Sequence, residues 1–144
     1  MSTVRELLKD KPENVWTVSP RDSAYKALQL MADKDVGAVL VVENEKLVGI
    51  FTERDYARKV ILKAKASKDT SVGELMTEAV LYVRLEQKVE DCMALMTEKH
   101  VRHLPVLSRE KVIGIITIGD VVKEIITTQR ISIKKMERYI TKSL

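Results

Sequence analysis

Several residue types are scarce in this chain of 144 residues. Its one cysteine, Cys92, cannot form an internal disulfide, which favours a reducing compartment and leads us to expect a cytoplasmic location. Aromatic residues make up 4% of the chain, and nothing in it resembles a platform on which nucleic-acid bases stack. No apolar run approaches the roughly 18–20 residues that span a bilayer. The Gly-rich fingerprints of NTPases and Rossmann folds are also missing, so the common nucleotide-binding loops are excluded.

The positive charge of the chain is confined to one segment. Residues 129–144 contain five basic residues and one acid, which equals the net charge of +4 of the whole chain. The remaining body is neutral, which argues against nucleic-acid binding. An apolar stripe in the tail fits packing against a second chain; its members are Ile133, Met136, Ile140 and Leu144. The basic row Lys134, Arg138 and Lys142 faces either solvent or an acidic surface.

The most informative feature present is an internal repeat. Residues 15–62 recur without a gap at 80–127, with an offset of 65 and fourteen identical pairs. A duplicated chain predicts two related halves around a pseudo-twofold axis, with functional sites in two copies. Each half is too short to be stable alone, so we expect the halves to fold against each other.

Hydrophobic periodicity predicts the order β-α-β-β-α in each repeat, which is an α+β fold. The chain then divides into a first domain with a lead-in segment (1–66), a second domain (71–128) and a basic helical tail (129–144). Strands are predicted at Val15–Val18, Ala38–Val42, Leu47–Phe51, Val80–Val83, Leu104–Leu107 and Val112–Ile116, and helices along Ala24–Met31 and Val89–Met96, from Thr52 to about Lys65, and from Thr117 into the tail.

One motif occurs in both repeats where a strand passes into a helix. It is Gly49-Ile50-Phe51-Thr52-Glu53-Arg54-Asp55 in the first and Gly114-Ile115-Ile116-Thr117-Ile118-Gly119-Asp120 in the second. Thr-x-x-Asp at a helix start forms a capping box, and capping alone can explain both residues. The same geometry also presents free N–H groups to an anion, beside a carboxylate that can accept both hydroxyls of a ribose. Both copies use aspartate where glutamate would cap equally well, which favours the sugar.

With these motifs, the tandem β-α-β-β-α order resembles the CBS domain pair, or Bateman module. Thr52–Lys59 and Cys92–Glu98 resemble in particular a subgroup of stand-alone CBS-pair proteins. The resemblance implies a pseudo-twofold pair with an extended C-terminal helix, and binding of an adenosine ligand such as AMP, ADP, ATP, NAD or S-adenosylmethionine. In the family the motif aspartate holds the ribose hydroxyls and the threonine assists.

Family architecture further implies that each cleft draws on both repeats. The first would combine Thr52 and Asp55 with Leu81 and with Arg102-His103-Leu104-Pro105; the second would combine Thr117 and Asp120 with Trp16 and with Gly37-Ala38-Val39. Arg102 and His103 would face phosphate, whereas Gly37 and Ala38 carry no charge. Gly119 also stands where the first repeat has Arg54, so the first cleft is expected to suit phosphate better. Arg102 could instead be a counter-charge for a helix end, and Trp16 could fill the core.

The leading hypothesis is therefore a regulatory sensor of adenosine ligands without catalytic activity or a catalytic cofactor. No nucleophile–base pair stands out, and His100, His103 and Cys92 do not make a metal site. The resemblance implies a disc-like homodimer, and a regulated partner protein that the sequence does not name. One alternative is a structural or interaction module without a ligand, in which the capping boxes are only caps. The other is nucleic-acid binding through the basic tail, which the neutral body disfavours.

Overall fold

The computed structural model describes residues 2–11 and 15–143, with the side chains of all of these except 139 and 141–143. Its elements are α1 (Val4–Lys9), β1 (Thr17–Val18), α2 (Ala24–Lys34), β2 (Ala38–Glu43), β3 (Lys46–Thr52), α3 (Glu53–Tyr56), a π-helical turn (Ala57–Ile61), α4 (Val72–Leu75), α5 (Val89–Lys99), β4 (His103–Ser108), β5 (Lys111–Thr117) and α6 (Ile118–Ser143). The predicted α+β class and the long C-terminal helix are confirmed.

Each repeat is built around a β-hairpin with a two-residue turn. Asn44 and Glu45 connect β2 to β3 with φ angles of 51° and 65°, and Arg109 and Glu110 connect β4 to β5 with 51° and 64°. Two consecutive residues with positive φ are typical of a type I′ turn, whose twist matches that of the flanking strands. The polar segment Glu43–Lys46 predicts this hairpin, although neither turn contains a glycine.

The strand that should open each repeat is shorter than predicted. β1 contains Thr17 and Val18 alone, paired in parallel with Leu40 and Val41 of β2. In the second repeat no strand forms over 80–83, and Val83 makes a single parallel bridge to Val106. The next backbone N–H is diverted in both copies, since Ser19 donates to Asp22 Oδ2 and Arg84 donates to Gln87 Oε1. These local turns end the strand ladder.

The helix predicted from Thr52 to Lys65 is also different. Four residues of α3 pass into the π-helical turn, in which the N–H of Leu62 donates to the carbonyl of Ala57. The wider turn accommodates two neighbouring contacts, because Lys59 donates to the carbonyl of Leu75 and Val60 is fully buried. The equivalent segment of the second repeat is regular helix, at the start of α6.

The compact units of the chain do not coincide with its sequence repeats. One unit, called unit 1, contains the described residues of Met1–Glu13, Val83–Val106 and Gly114–Leu144; unit 2 contains those of Asn14–Tyr82 and Leu107–Ile113. The lead-in helix α1, which precedes the first repeat, therefore packs with most of the second repeat. Likewise α4, which precedes the second repeat, packs with the first.

The two lead-in helices are attached in the same way. In unit 1, Thr3 forms an antiparallel bridge with Lys88 just before α5, and Val4 and Leu7 are buried. In unit 2, Ser71 forms the matching bridge with Ser23 just before α2, and α4 buries its own two apolar residues, Val72 and Leu75. Each lead-in helix therefore supplies core residues to its unit.

Core packing follows the predicted helical stripes. In unit 2, the stripe of α2 buries Ala24, Ala27 and Met31 against Phe51 and other residues of the hairpin. In unit 1, the matching stripe of α5 buries Val89, Cys92 and Met96. Burial raises the pKa of the Cys92 thiol to about 11, with help from Asp91, so this cysteine is an unreactive core residue.

The second half of α6 is exposed. Ile133, Met136 and Ile140 of the predicted tail stripe are between 54% and 65% accessible, while Leu144 and the side chain of Lys142 lie outside the described residues. Within residues 2–11 and 15–143, no helix has both the length and the apolar character needed to cross a bilayer.

Candidate functional site

The first motif forms a complete capping box at the start of α3. The Thr52 N–H donates to Asp55 Oδ2 over 3.0 Å, and the Asp55 N–H donates to Thr52 Oγ1 over 3.1 Å. Both side chains are half-buried. The box holds the carboxylate at the first turn of the helix, where backbone N–H groups lack helical partners.

The second motif has the same geometry at the start of α6. The Thr117 N–H donates to Asp120 Oδ2 over 2.9 Å, and the Asp120 N–H donates to Thr117 Oγ1 over 3.1 Å. In both boxes the capping contact uses one carboxylate oxygen, Oδ2. The other oxygen, Oδ1, is not part of either box, so capping does not occupy the whole carboxylate.

A lysine accompanies each of these aspartates, and the sequence analysis missed both. Lys59 Nζ lies 3.4 Å from Asp55 Oδ1 and donates to the carbonyl of Leu75. Lys11 Nζ donates to Asp120 Oδ2 and to the carbonyl of Ile115. Lys59 could have been found from its i,i+4 spacing to Asp55. Lys11 is 109 residues from Asp120, and no local pattern indicates that pair.

The hairpin register brings the start of β2 to the first motif. Ala38 pairs with Thr52, and the Glu53 N–H donates to the carbonyl of Gly37 over 3.1 Å. The sequence analysis placed Gly37 and Ala38 with the motif of the second repeat. Within unit 2 they lie beside the motif of their own repeat, and they bring no charge to it.

The corresponding residues of the second repeat are basic. The Ile118 N–H donates to the carbonyl of Arg102 over 3.0 Å, which brings Arg102 and the neighbouring His103 to the start of α6. The sequence analysis grouped these two residues with Asp55. Within unit 1 they lie beside Thr117 and Asp120, so this motif gathers the cationic side chains.

The electrostatics of unit 1 reflect this gathering of charge. Burial lowers the pKa of His103 below its ordinary value of 6.5, and the nearby charges of Lys11 and Arg102 lower it further, although Asp120 opposes them. Burial alone would raise the pKa of Asp120, but hydrogen bonds from Lys11 and Thr117 outweigh burial and lower it. At neutral pH the motif therefore combines an ionised aspartate, a neutral histidine and two cations.

Four other predicted residues have definite places. Arg54 is exposed on α3, and Leu81 is half-buried in the irregular segment before Val83. Pro105 is buried on β4, where its carbonyl accepts from the Val83 N–H. Trp16 packs partly buried against the core of unit 2, with Lys34 Nζ 4.5 Å from its ring centroid. Its predicted contribution to an adenosine pocket stays a prediction.

The family model for the CBS domain matches this chain twice, at residues 4–62 and 72–127. The chain is a CBS-domain protein. Each match covers a lead-in helix, a hairpin and one of the two threonine–aspartate motifs. The predicted family membership, with two CBS domains in one short chain, is confirmed.

Similar proteins include other short CBS-domain proteins. The Arabidopsis thaliana protein named CBS domain-containing protein CBSX3, mitochondrial, is 37% identical over 96% of this chain and 72% of its own length. A putative signal-transduction protein with CBS domains from Burkholderia ambifaria is 51% identical, with a TM-score of 0.86, covering 89% of this chain and 96% of that one.

One more distant structure carries ligands. The CBS domain pair of protein MJ0100, in complex with 5-methylthioadenosine and S-adenosyl-L-methionine, has a TM-score of 0.77 and 21% identity, covering 89% of this chain and 98% of that one. At this identity the comparison shows a shared fold. The ligands belong to that protein.

Proposed function

We propose that this CBS-domain protein is a regulatory, non-catalytic sensor that binds adenosine ligands at its two threonine–aspartate motifs. The observation that carries the proposal is the pair of matching capping boxes at Asp55 and Asp120. Each fixes an aspartate at the start of a helix while engaging only one of its oxygens. A ribose diol requires such a carboxylate, and a phosphate is favoured by the helix start next to it.

The charges around the two motifs support a division of labour between them. Lys11, Arg102 and His103 accompany Asp120, whereas Gly37 and Ala38 accompany Asp55. The sequence analysis assigned the phosphate preference to the first cleft. The neighbourhood of Arg102 supports assigning it to the Asp120 motif, with the Asp55 motif taking ligands of lower negative charge.

The sensing mechanism we propose is a population shift. A ligand that binds one arrangement of the protein more tightly than another changes the proportions of the two and so the surface offered to a partner. AMP, ATP, NAD and S-adenosylmethionine are the candidate ligands. Adenosine ligands in the MJ0100 complex lend support to this class.

The alternative is an interaction module that binds no ligand. It is favoured by the completeness of both capping boxes, whose hydrogen bonds account for Thr52, Asp55, Thr117 and Asp120 as structural residues. Under this alternative the conserved geometry of the two motifs would reflect helix initiation alone.

A thermal-shift screen with AMP, ATP, NAD, S-adenosylmethionine and a short oligonucleotide tests the proposal. A ligand present at a hundred times its Kd adds about 2.7 kcal/mol to the free energy of unfolding and raises the melting temperature. Stabilisation by an adenosine compound that is lost in the Asp55→Asn, Asp120→Asn double variant supports the sensor. Stabilisation by none of the adenosine compounds favours the ligand-free module, and stabilisation by the oligonucleotide alone would reveal a nucleic-acid binder.

A further inference from the structure

The lysines beside the two motif aspartates come from unrelated places in the repeats. Lys59 lies in the π-helical turn, and the residue 65 positions later, at its repeat equivalent, is Glu124. Lys11 follows the lead-in helix α1, and its counterpart after α4 is Ala79. Duplication of one ancestral lysine therefore does not explain both pairs. The shared feature is an ammonium group at the motif aspartate and at one backbone carbonyl.

Stability is a weak explanation for the Lys11 pair. The side chains of Lys11 and Asp120 are 22% and 28% accessible, and ion pairs with such access to water contribute little net free energy. The start of α6 is already stabilised by the Thr117–Asp120 capping box, which does not need a cation. A role in recognition accounts better for a cation held at this carboxylate.

The geometry at Lys11 suits such a role. Its ammonium donates to Asp120 Oδ2 and to the carbonyl of Ile115, and an ammonium has three protons, one more than these acceptors use. These two contacts hold the charge next to the carboxylate. A phosphate on the ribose that Asp120 holds would be within reach of that third proton.

We propose that Lys11 is a ligand-binding residue that contacts the phosphate of a nucleotide whose ribose is bound by Asp120. The inference rests on the proposed function, which it deepens by naming nucleoside phosphates as the ligand class at this motif. Lys11 also shields the phosphate from the negative charge of Asp120. Removing it therefore removes an attraction and exposes a repulsion, both of which act on phosphate and neither on the nucleoside.

Calorimetry with AMP and adenosine on the Lys11→Met variant tests this role. All proteins carry Asp55→Asn, so that binding reports on the Asp120 motif. We expect Lys11→Met to weaken AMP binding by about ten- to a hundredfold, the range for a hydrogen bond to a charged group, with adenosine affinity nearly unchanged. Lys11→Arg should recover most of the AMP affinity. Equal losses for AMP and adenosine would overturn the proposal, because Lys11 would then only position Asp120.

The matched control is Arg5→Met. Arg5 lies on the same lead-in helix and pairs with Glu86 in an exposed salt bridge, so this variant removes the same charge away from the motif. Its ratio of AMP to adenosine affinity should equal that of the parent protein. A fall as large as that in Lys11→Met would show that net charge, rather than contact, sets the preference.

Chemical labelling of the wild-type chain gives a second test that does not depend on a variant folding. AMP should protect the Lys11 amine from acetylation, measured by mass spectrometry, while adenosine at equal occupancy should not. Equal protection by both compounds, or by neither, contradicts the phosphate contact. Absence of AMP and adenosine binding to the wild type would instead overturn the proposed function itself.

Discussion

A β-carbon on Gly49 would lie 2.5 Å from the sulfur of Met76 and 2.9 Å from its Cγ. The second repeat has the same relationship, since a β-carbon on Gly114 would lie 3.0 Å from Leu8 Cδ2. Met76 and Leu8 occupy matching positions at the ends of the lead-in helices α4 and α1. The motif glycines are therefore the places where each hairpin receives the side chain of its lead-in segment.

We predict that Gly49→Ala destabilises the protein by about 1–3 kcal/mol, as expected for overpacking, since most of the Met76 side chain must move. Gly114→Ala should have a smaller effect, because only the flexible end of Leu8 is in the way. Urea denaturation measures both. In a double-mutant cycle, Met76→Ala should relieve the effect of Gly49→Ala. Purely additive losses would contradict the steric explanation.

Replacing Asp55 should separate capping from ligand binding. We expect Asp55→Ala to weaken adenosine-ligand binding at this motif by about 1.5–3 kcal/mol while the protein stays folded. Asp55→Asn keeps an oxygen acceptor for the Thr52 N–H, so it should lose affinity with a smaller drop in melting temperature. The affinities are measured by calorimetry in an Asp120→Asn background. Lower stability with unchanged affinity in both variants would mean that Asp55 is only a cap.

Arg102→Ala should weaken AMP binding much more than adenosine binding, because the guanidinium is expected to contact phosphate. Arg109→Ala, at the turn between β4 and β5, removes an equal charge and should affect neither. Calorimetry on the two variants makes the comparison. If Arg102 is instead a counter-charge for a helix end, its removal should lower the melting temperature and leave the AMP-to-adenosine ratio as it is.

His103 should make the protein less stable in mild acid. Its pKa in the folded chain is below the ordinary 6.5, so the unfolded chain binds the proton more readily. The free energy of unfolding should therefore decline as the pH falls from 6.5 towards the folded pKa. His103→Gln should flatten this decline, as measured by denaturant titrations between roughly pH 7 and 5. The matched variant His100→Gln shows how much of any change is specific to His103, and parallel curves for wild type and His103→Gln would refute the expectation.

The exposed tail should contribute to a homodimer. Truncation after Thr128 removes Ile133, Met136 and Ile140, whose burial against a partner would be worth roughly 1.5–3 kcal/mol each. We expect sedimentation to show a dimer for the full chain and a higher dissociation constant for the truncated one. Replacing Lys134 and Arg138 by serine controls for charge and should have a smaller effect. A full-length monomer at micromolar concentration would exclude the dimer, and an unchanged dimer after truncation would exclude the tail.

The elements with a local signal were predictable from the sequence. The stripe Ala24–Met31 and its copy Val89–Met96 follow the helical period, and the polar turn at Asn44 separates two apolar runs. The capping boxes were also readable, because Thr-x-x-Asp places both partners within one helical turn. Each of these features depends on residues close together in the chain.

Features that depend on distant residues were not predictable in this way. An apolar pattern shows that α1 buries Val4 and Leu7, but it does not say which repeat receives them. The pairing of Lys11 with Asp120 follows from that choice and is equally invisible. The length of the opening strands depended on whether the Asp22 and Gln87 side chains would bind the next backbone N–H, a competition that strand propensity does not describe.

The exchange of lead-in helices gives the chain an unusual order of assembly during translation. Helix α1 is the first structured segment to leave the ribosome, yet the other segments of its unit begin at Val83. At roughly 5–20 residues per second, several seconds pass before they are made. Throughout that interval Val4 and Leu7 lack the surface that buries them in the finished protein, so the nascent N-terminus is a natural substrate for a holding chaperone. A ribosome stalled before Val83 would carry a chain whose first helix has no place to fold.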